Sequence, residues 1–193
     1  VLKPDCVLGL ATGSTPLGLY GELIAKYQRG GLDFSKVTTF NLDEYYPIGP
    51  EHPQSYHYFM YENLFNYINV KPENINLLDG TTNSIEAECT NYERRIAAAG
   101  GIDLLVLGLG ENGHIGFCEP NACLNPHTHL AALRQETIKV NSRFFQSETE
   151  VPPQALTMGI GTILKARRIL LLANGRKKAA AIKKTVQGFV TTE

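Results

Sequence analysis

The sequence predicts a three-layer, Rossmann-like α/β domain with a mainly parallel sheet and helices on both faces. Three observations carry this. Short apolar, strand-like runs alternate with helix-like stretches whose apolar residues recur every three or four positions. The most apolar run, IDLLVLGLG (102–110), is hydrophobic almost without interruption, as expected of a strand covered on both sides. The 193 residues fit one sizeable domain, 1–193, with a core of its own.

The elements follow in order. CVLGLA (6–11) reads as a buried strand. TGSTP (12–16) then opens a helix with Leu17, Tyr20, Ile24 and Tyr27 on one face, stopped by Gly30 and Gly31. Ser14 or Thr15 can cap that helix, and Pro16 suits its first turn. KVTTFNL (36–42) is a second strand and SYHYFMYENLFNYI (55–68) a second helix. The prolines of PIGPEHPQ make the link between them a stiff surface loop, placed to serve as a lid. INLLDG (75–80) is a short strand closed by a turn. Asn83 and Glu86 have capping-box spacing before a helix that aligns Ile85, Cys89, Tyr92 and Ile96 and ends at Gly100 and Gly101. After IDLLVLGLG, the run ETIKVNSRFF (136–145) is expected to contain a strand and 155–166 a helix. RRILLLAN (167–174) reads as a strand, with a final helix from about Arg176.

Composition narrows the function. A formal net charge of -1 gives no global basic field to hold nucleic acid or an anionic membrane, so neither is an expected partner. An acidic substrate needs a local basic pocket instead. No apolar run reaches membrane-span length and no signal peptide is visible. The four cysteines form no dense framework and read as free thiols of a cytoplasmic protein.

In parallel sheets of this kind, ligands bind beyond the carboxyl ends of the strands, so motifs that carry chemistry should follow strands. TGSTP combines hydroxyls, a glycine and free amides at a helix start, a phosphate cradle in Thr12, Gly13, Ser14 and Thr15, or simply a capped turn. It matches neither nucleotide fingerprint. NGRKKAA (174–180) places Arg176, Lys177 and Lys178 at a helix start, against the macrodipole, which makes sense if one of them meets an anion. Lys178 best fits the inward position. Arg143, in NSRFF, can clamp a phosphate in bidentate fashion. FNLDEYY (40–46) ends a strand in two acids of which one can face the cleft; a carboxylate there can abstract a proton alpha to a carbonyl or imine, or cap a helix. In LGLGENGHIGFCEP (107–120), His114 follows the most buried strand, Glu119 can orient its ring and Asn112 can add a neutral hydrogen bond. Metal binding fits poorly: no H-E-x-x-H is present, and Cys118 with Cys123 lacks companion ligands. Together these point to an enzyme acting on a small phosphorylated molecule.

In this order and spacing, TGSTP, FNLDEYY, GENGHIGFCEP, NSRFF and the turn at Gly175–Lys178 resemble the glucosamine-6-phosphate deaminase family over essentially the whole chain. The resemblance implies conversion of glucosamine 6-phosphate and water to fructose 6-phosphate and ammonia, with neither cofactor nor metal. His114, assisted by Asn112 and Glu119, would open the pyranose ring. Asp43 would move the C2 proton to C1 through an enolamine. Thr12, Gly13, Ser14, Thr15, Arg143 and Lys178 would hold the phosphate. Cys118 stands where the family usually has asparagine, and Asn112 replaces an aspartate of some members, which weakens support for an imidazolium at His114. Ala122, His129 and Ala131 match the serine, arginine and lysine of allosteric members, which implies no activation by N-acetylglucosamine 6-phosphate. The start at Val1 reads as trimmed, and the family's extreme N- and C-terminal segments are expected to be missing. Members occur as monomers and larger rings, so the sequence leaves the oligomeric state open. Two other readings stand beside this one: a 6-phosphogluconolactonase, which shares the fold and phosphate loop, and a sugar-phosphate sensor without turnover.

Overall fold

The computed structural model describes residues 3–189 and 191. Its principal sheet has five parallel strands: β1 (Val7–Leu10), β2 (Thr38–Asn41), β4 (Ile75–Asn76), β5 (Leu104–Gly108) and β8 (Ile169–Leu172). Their spatial order is β4-β2-β1-β5-β8. Alternation along the central strands splits the core in two. Val7, Phe40, Leu105 and Leu107 pack with Cys89, Tyr92 and Ile96 of α3 (Ile85–Ala98). On the other face, Leu10 packs with Tyr20 of α1 (Leu17–Gln28) and Met60 of α2 (Tyr56–Asn63). Helices therefore cover both faces, as the alternation predicts. Gly9 allows a close approach at the centre: a Cβ there would lie 2.0 Å from Leu105 Cδ1, and that buried side chain would have to move.

A second sheet was not foreseen. Strands β3 (Asp43–Tyr46), β6 (His129–Ala132) and β7 (Gln154–Thr157) form an antiparallel sheet in the order β3-β7-β6. The chain passes from one sheet to the other at Leu42. The Leu42 N–H donates to Leu10 O in the first sheet, while Leu42 O accepts from Met158 N, just past β7, at 2.7 Å.

Four local expectations are corrected. ETIKVNSRFF forms no strand: Gln135–Asn141 is helix α4, followed by a 3-10 turn at Ser142–Phe144. Its β-branched residues suggest a strand, but Thr137, Val140 and Asn141 share a helical face that lines a cavity, and tertiary context decides. The segment 155–166 is not one helix. Its start belongs to β7, buried between β3 and β6, and only Ile160–Leu164 is helical, as α5. The helix expected over 55–68 breaks after Asn63, with a separate 3-10 turn at Phe65–Tyr67. The Asn83–Glu86 capping box does not form; Ser84 stands at the α3 N-cap and makes no side-chain cap hydrogen bond. The final helix begins as a 3-10 turn at Arg176–Lys178 and continues as α6 (Ala179–Gln187).

Candidate active site

A cavity of about 600 Å³ opens beyond the carboxyl ends of β1, β2, β5 and β8, at the junction of the two sheets. This size suits one small ligand. All the catalytic and phosphate-binding candidates named from the sequence line it, except Glu119, which stands behind the wall.

The two acids of FNLDEYY are separated by strand alternation. Asp43 lines the cavity, only 7% exposed. Burial, reinforced by the charge of Glu44, pushes its carboxyl up to about 8. Glu44 points the other way and caps α2: its carboxylate accepts from Tyr56 N at 2.8 Å, His57 N at 2.8 Å and Tyr45 N at 2.9 Å. Burial drives Glu44 up to about 7 against the pull of those three amides. The helix-cap reading of this motif is thus correct for one acid and the cleft reading for the other.

The glycines of the opening loop answer to His114 and Asp43. A Cβ at Gly110 would lie 2.3 Å from His114 Nδ1, so only glycine lets the imidazole fold back over the loop. Gly116 has φ +58°, and a Cβ there would sit 3.2 Å from Asp43 Oδ2. Backbone bonds from Gly110 N to His114 O (2.8 Å) and from Gly113 N to Gly110 O (3.2 Å) close the loop.

Asn112 stands between His114 and Glu119, a more direct role than the supplementary hydrogen bond expected of it. Its Nδ2 donates to Glu119 Oε2 at 2.8 Å, and its Oδ1 lies 2.7 Å from His114 Nδ1. A carboxylate only accepts, so the amide must turn its nitrogen to Glu119 and its oxygen to the ring. The imidazole proton then sits on Nδ1 and the Nε2 lone pair is left for chemistry. Glu119 Oε2 is itself 3.7 Å from Nδ1. Desolvation holds His114 below its ordinary pKa; Glu119 and Glu111 oppose the shift and Lys178 adds to it.

At the anion end, neither Ser14 nor Thr15 caps α1, whose N-cap is Pro16 with no side-chain cap bond. Their hydroxyls line the cavity instead, beside Thr12 and Gly13, which has φ +83°. Lys178 lies at the same wall, held below its usual pKa by burial, opposed by Glu111 and reinforced by Arg143 and Lys177. Arg143 sits over the Phe144 ring at 4.6 Å. Among the described residues, neither Arg143 nor Lys178 has an ion pair within 4 Å, and the two are near enough to feel each other's charge, an arrangement that suits an anionic ligand. Lys177 is exposed and reaches Glu111 at 4.0 Å.

An aromatic wall of the cavity is not among the features expected from the sequence. Tyr45, Tyr56, Phe117 and Phe145 form an aromatic cluster that lines the cavity, with Tyr56 stacked on Phe117 at 6.0 Å and 4°. Burial pushes the Tyr45 hydroxyl up to about 12 and Tyr56 well above its ordinary value, so both remain neutral. Tyr45 and Phe117 lie inside the FNLDEYY and GENGHIGFCEP motifs, so aromatics beside the candidate acid and histidine are a signal present in the chain.

An acid, a histidine and two cations around one cavity of a parallel α/β scaffold mark the class of α/β enzymes that act on small anionic molecules. The chain belongs to the family described as glucosamine-6-phosphate isomerases/6-phosphogluconolactonase, which it matches over residues 3–192. Within that family it is 59% identical to the glucosamine-6-phosphate deaminase of Halothermothrix orenii, spanning all of this chain and 80% of that protein. Identity to the enzyme of the same name from Clostridium acetobutylicum is 58%, with the same coverage. A monomeric glucosamine-6-phosphate deaminase of known structure superposes with a TM-score of 0.96 at 44% identity, covering 99% of this chain and 79% of that one. The 6-phosphogluconolactonase of Thermotoga maritima, at 21% identity, TM-score 0.75 and coverage of 97% and 78%, shares the fold.

Proposed function

We propose that this chain is an enzyme that converts glucosamine 6-phosphate and water to fructose 6-phosphate and ammonia. The observation that carries the reading is the placement of Asp43 and His114 on the same cavity as Arg143 and Lys178, cations without an ion pair among the described residues. The phosphate is held by these two cations and by the hydroxyls and amides of Thr12, Gly13, Ser14 and Thr15. His114 Nε2 accepts the C1 hydroxyl proton as the pyranose opens, and its proton returns to the ring oxygen. Asp43 takes the C2 proton and delivers it to C1. Water then adds at C2 and ammonia leaves. An acid–base group works best with a pKa near the operating pH, and burial of Asp43 supplies that match. The close relatives that share more than half of this sequence support the substrate.

The direct test is release of ammonia and fructose 6-phosphate from glucosamine 6-phosphate, with 6-phosphogluconolactone offered in parallel. Ammonia with an unchanged lactone is the expected result. Acid from the lactone without ammonia favours the lactonase; saturable binding with neither product favours the sensor.

The pH dependence follows from Asp43. Its carboxyl must be ionised to act as a base, so kcat/KM should rise with pH through about 8. Removing the neighbouring charge in Glu44→Gln should move this rising limb to lower pH, because Glu44 is what adds to the burial effect. An unmoved midpoint in that variant would dissociate the limb from Asp43.

We further propose that residues 1–193 act as one domain in the cytoplasm. All four cysteines are free, as suits a reducing compartment, and among the described residues no helix is long and apolar enough to cross a membrane.

A further inference from the structure

We propose that Thr137 is a positioning residue for the proton relay: from α4, its hydroxyl holds Glu119 so that Asn112 and His114 keep a single tautomer. Thr137 is 6% exposed, and its hydroxyl donates to Glu119 Oε1. The other oxygen, Oε2, accepts from Asn112. The Glu119 side chain is only 9% exposed, so it has little water to replace a lost partner. Both oxygens are therefore fixed by protein donors, and the carboxylate cannot rotate without breaking one of them.

The consequence passes along the chain of bonds. With Oε2 fixed, the Asn112 amide has one favourable orientation, its oxygen faces Nδ1, and Nε2 remains the free base. The His114 backbone N–H also donates to Asn112 Oδ1, at 3.1 Å. Without the Thr137 donor, Glu119 can swing away from Asn112, that single backbone contact is left to hold the amide, and the imidazole can carry its proton on the wrong nitrogen. The same short segment carries Arg143 two residues past the end of α4, so one element sets both the anion grip and the relay. The charged groups that act on His114 are Glu119, Glu111 and Lys178, while Asp43, Arg134, Glu136 and Arg143 line the same cavity. None of them touches Glu119 Oε1 within hydrogen-bond distance among the described residues, which leaves that contact to Thr137.

The inference rests on the deaminase reading, and its test separates the two. Thr137→Val keeps the shape and removes the hydroxyl; Thr137→Ser restores a hydroxyl without the methyl. For ammonia release, Thr137→Val should lose roughly 10- to 100-fold in kcat with KM within about threefold, the pattern of a misplaced catalytic group. Thr137→Ser should recover most of the loss. The second readout needs no turnover: ¹⁵N NMR of His114 at a pH where the ring is neutral. The parent protein and Thr137→Ser should show the proton on Nδ1, and Thr137→Val a mixture of tautomers. A single Nδ1–H tautomer in Thr137→Val, or a kcat loss that Thr137→Ser fails to recover, overturns the role of Thr137. Absence of ammonia from the parent overturns the deaminase reading while leaving the NMR comparison intact.

Discussion

Asp43→Asn is expected to lower kcat/KM for ammonia release by about 10⁴-fold, the upper end of what a positioned base contributes, with inorganic phosphate binding unchanged. The substitution is nearly isosteric and leaves Arg143, Lys178 and the 12–15 loop in place, so it removes only proton transfer at C2 and C1. A second consequence has the opposite sign. Burial raises the Asp43 carboxyl from the ordinary range to about 8 in the folded chain. Stability linked to it is complete below the unfolded carboxylate pKa and lost as pH rises through about 8. Asparagine carries no such penalty. The variant should therefore melt at a higher temperature than the parent, with the gap small near pH 4 and largest above pH 8. Scanning calorimetry across that range checks this, and a gap independent of pH would contradict burial as the origin of the shift. Activity and stability are thus opposed at one side chain, as at other strained functional positions.

The second large effect concerns His114. Its replacement by glutamine should cost roughly 10²- to 10⁴-fold in kcat, the range of a lost general acid–base group. Glutamine fills part of the space over Gly110 but cannot carry a proton. The two variants are distinguished by isotope. Substrate deuterated at C2 reports on the step assigned to Asp43, and ring opening breaks no bond to that hydrogen. In His114→Gln, ring opening becomes limiting, so the C2 isotope effect should fall toward unity. In Asp43→Asn, residual turnover should retain a full isotope effect. A full C2 effect in His114→Gln would remove His114 from ring opening.

Much of this site was legible before the fold, because its residues sit on motifs whose chemistry and punctuation agree. TGSTP, NLDEYY and GENGHIGF each follow a buried strand of the parallel sheet, and strand alternation alone separates Asp43 from Glu44. The inward assignment of Lys178 likewise follows from its place in the helix start. The second sheet was not legible. β3 and β7 are only four residues each and are specified by pairing with segments more than a hundred positions away, as in Asp43 opposite Thr157. Their local composition carries no alternation to detect. Helix α4 reads as a strand in the sequence because Thr137, Ile138 and Val140 favour strands, while a cavity wall rather than propensity shapes it. Thr137 was invisible for the same reason: nothing in the spacing of residues 119 and 137 announces their contact.

The crossing at Leu42 has a kinetic meaning. The carboxylate at position 43 sits where strands early and late in the chain meet around its neighbour. Such distant pairings carry the largest loop-closure cost and form slowly. Recovery of catalysis during refolding is therefore expected to lag recovery of helical circular dichroism, which local contacts restore first.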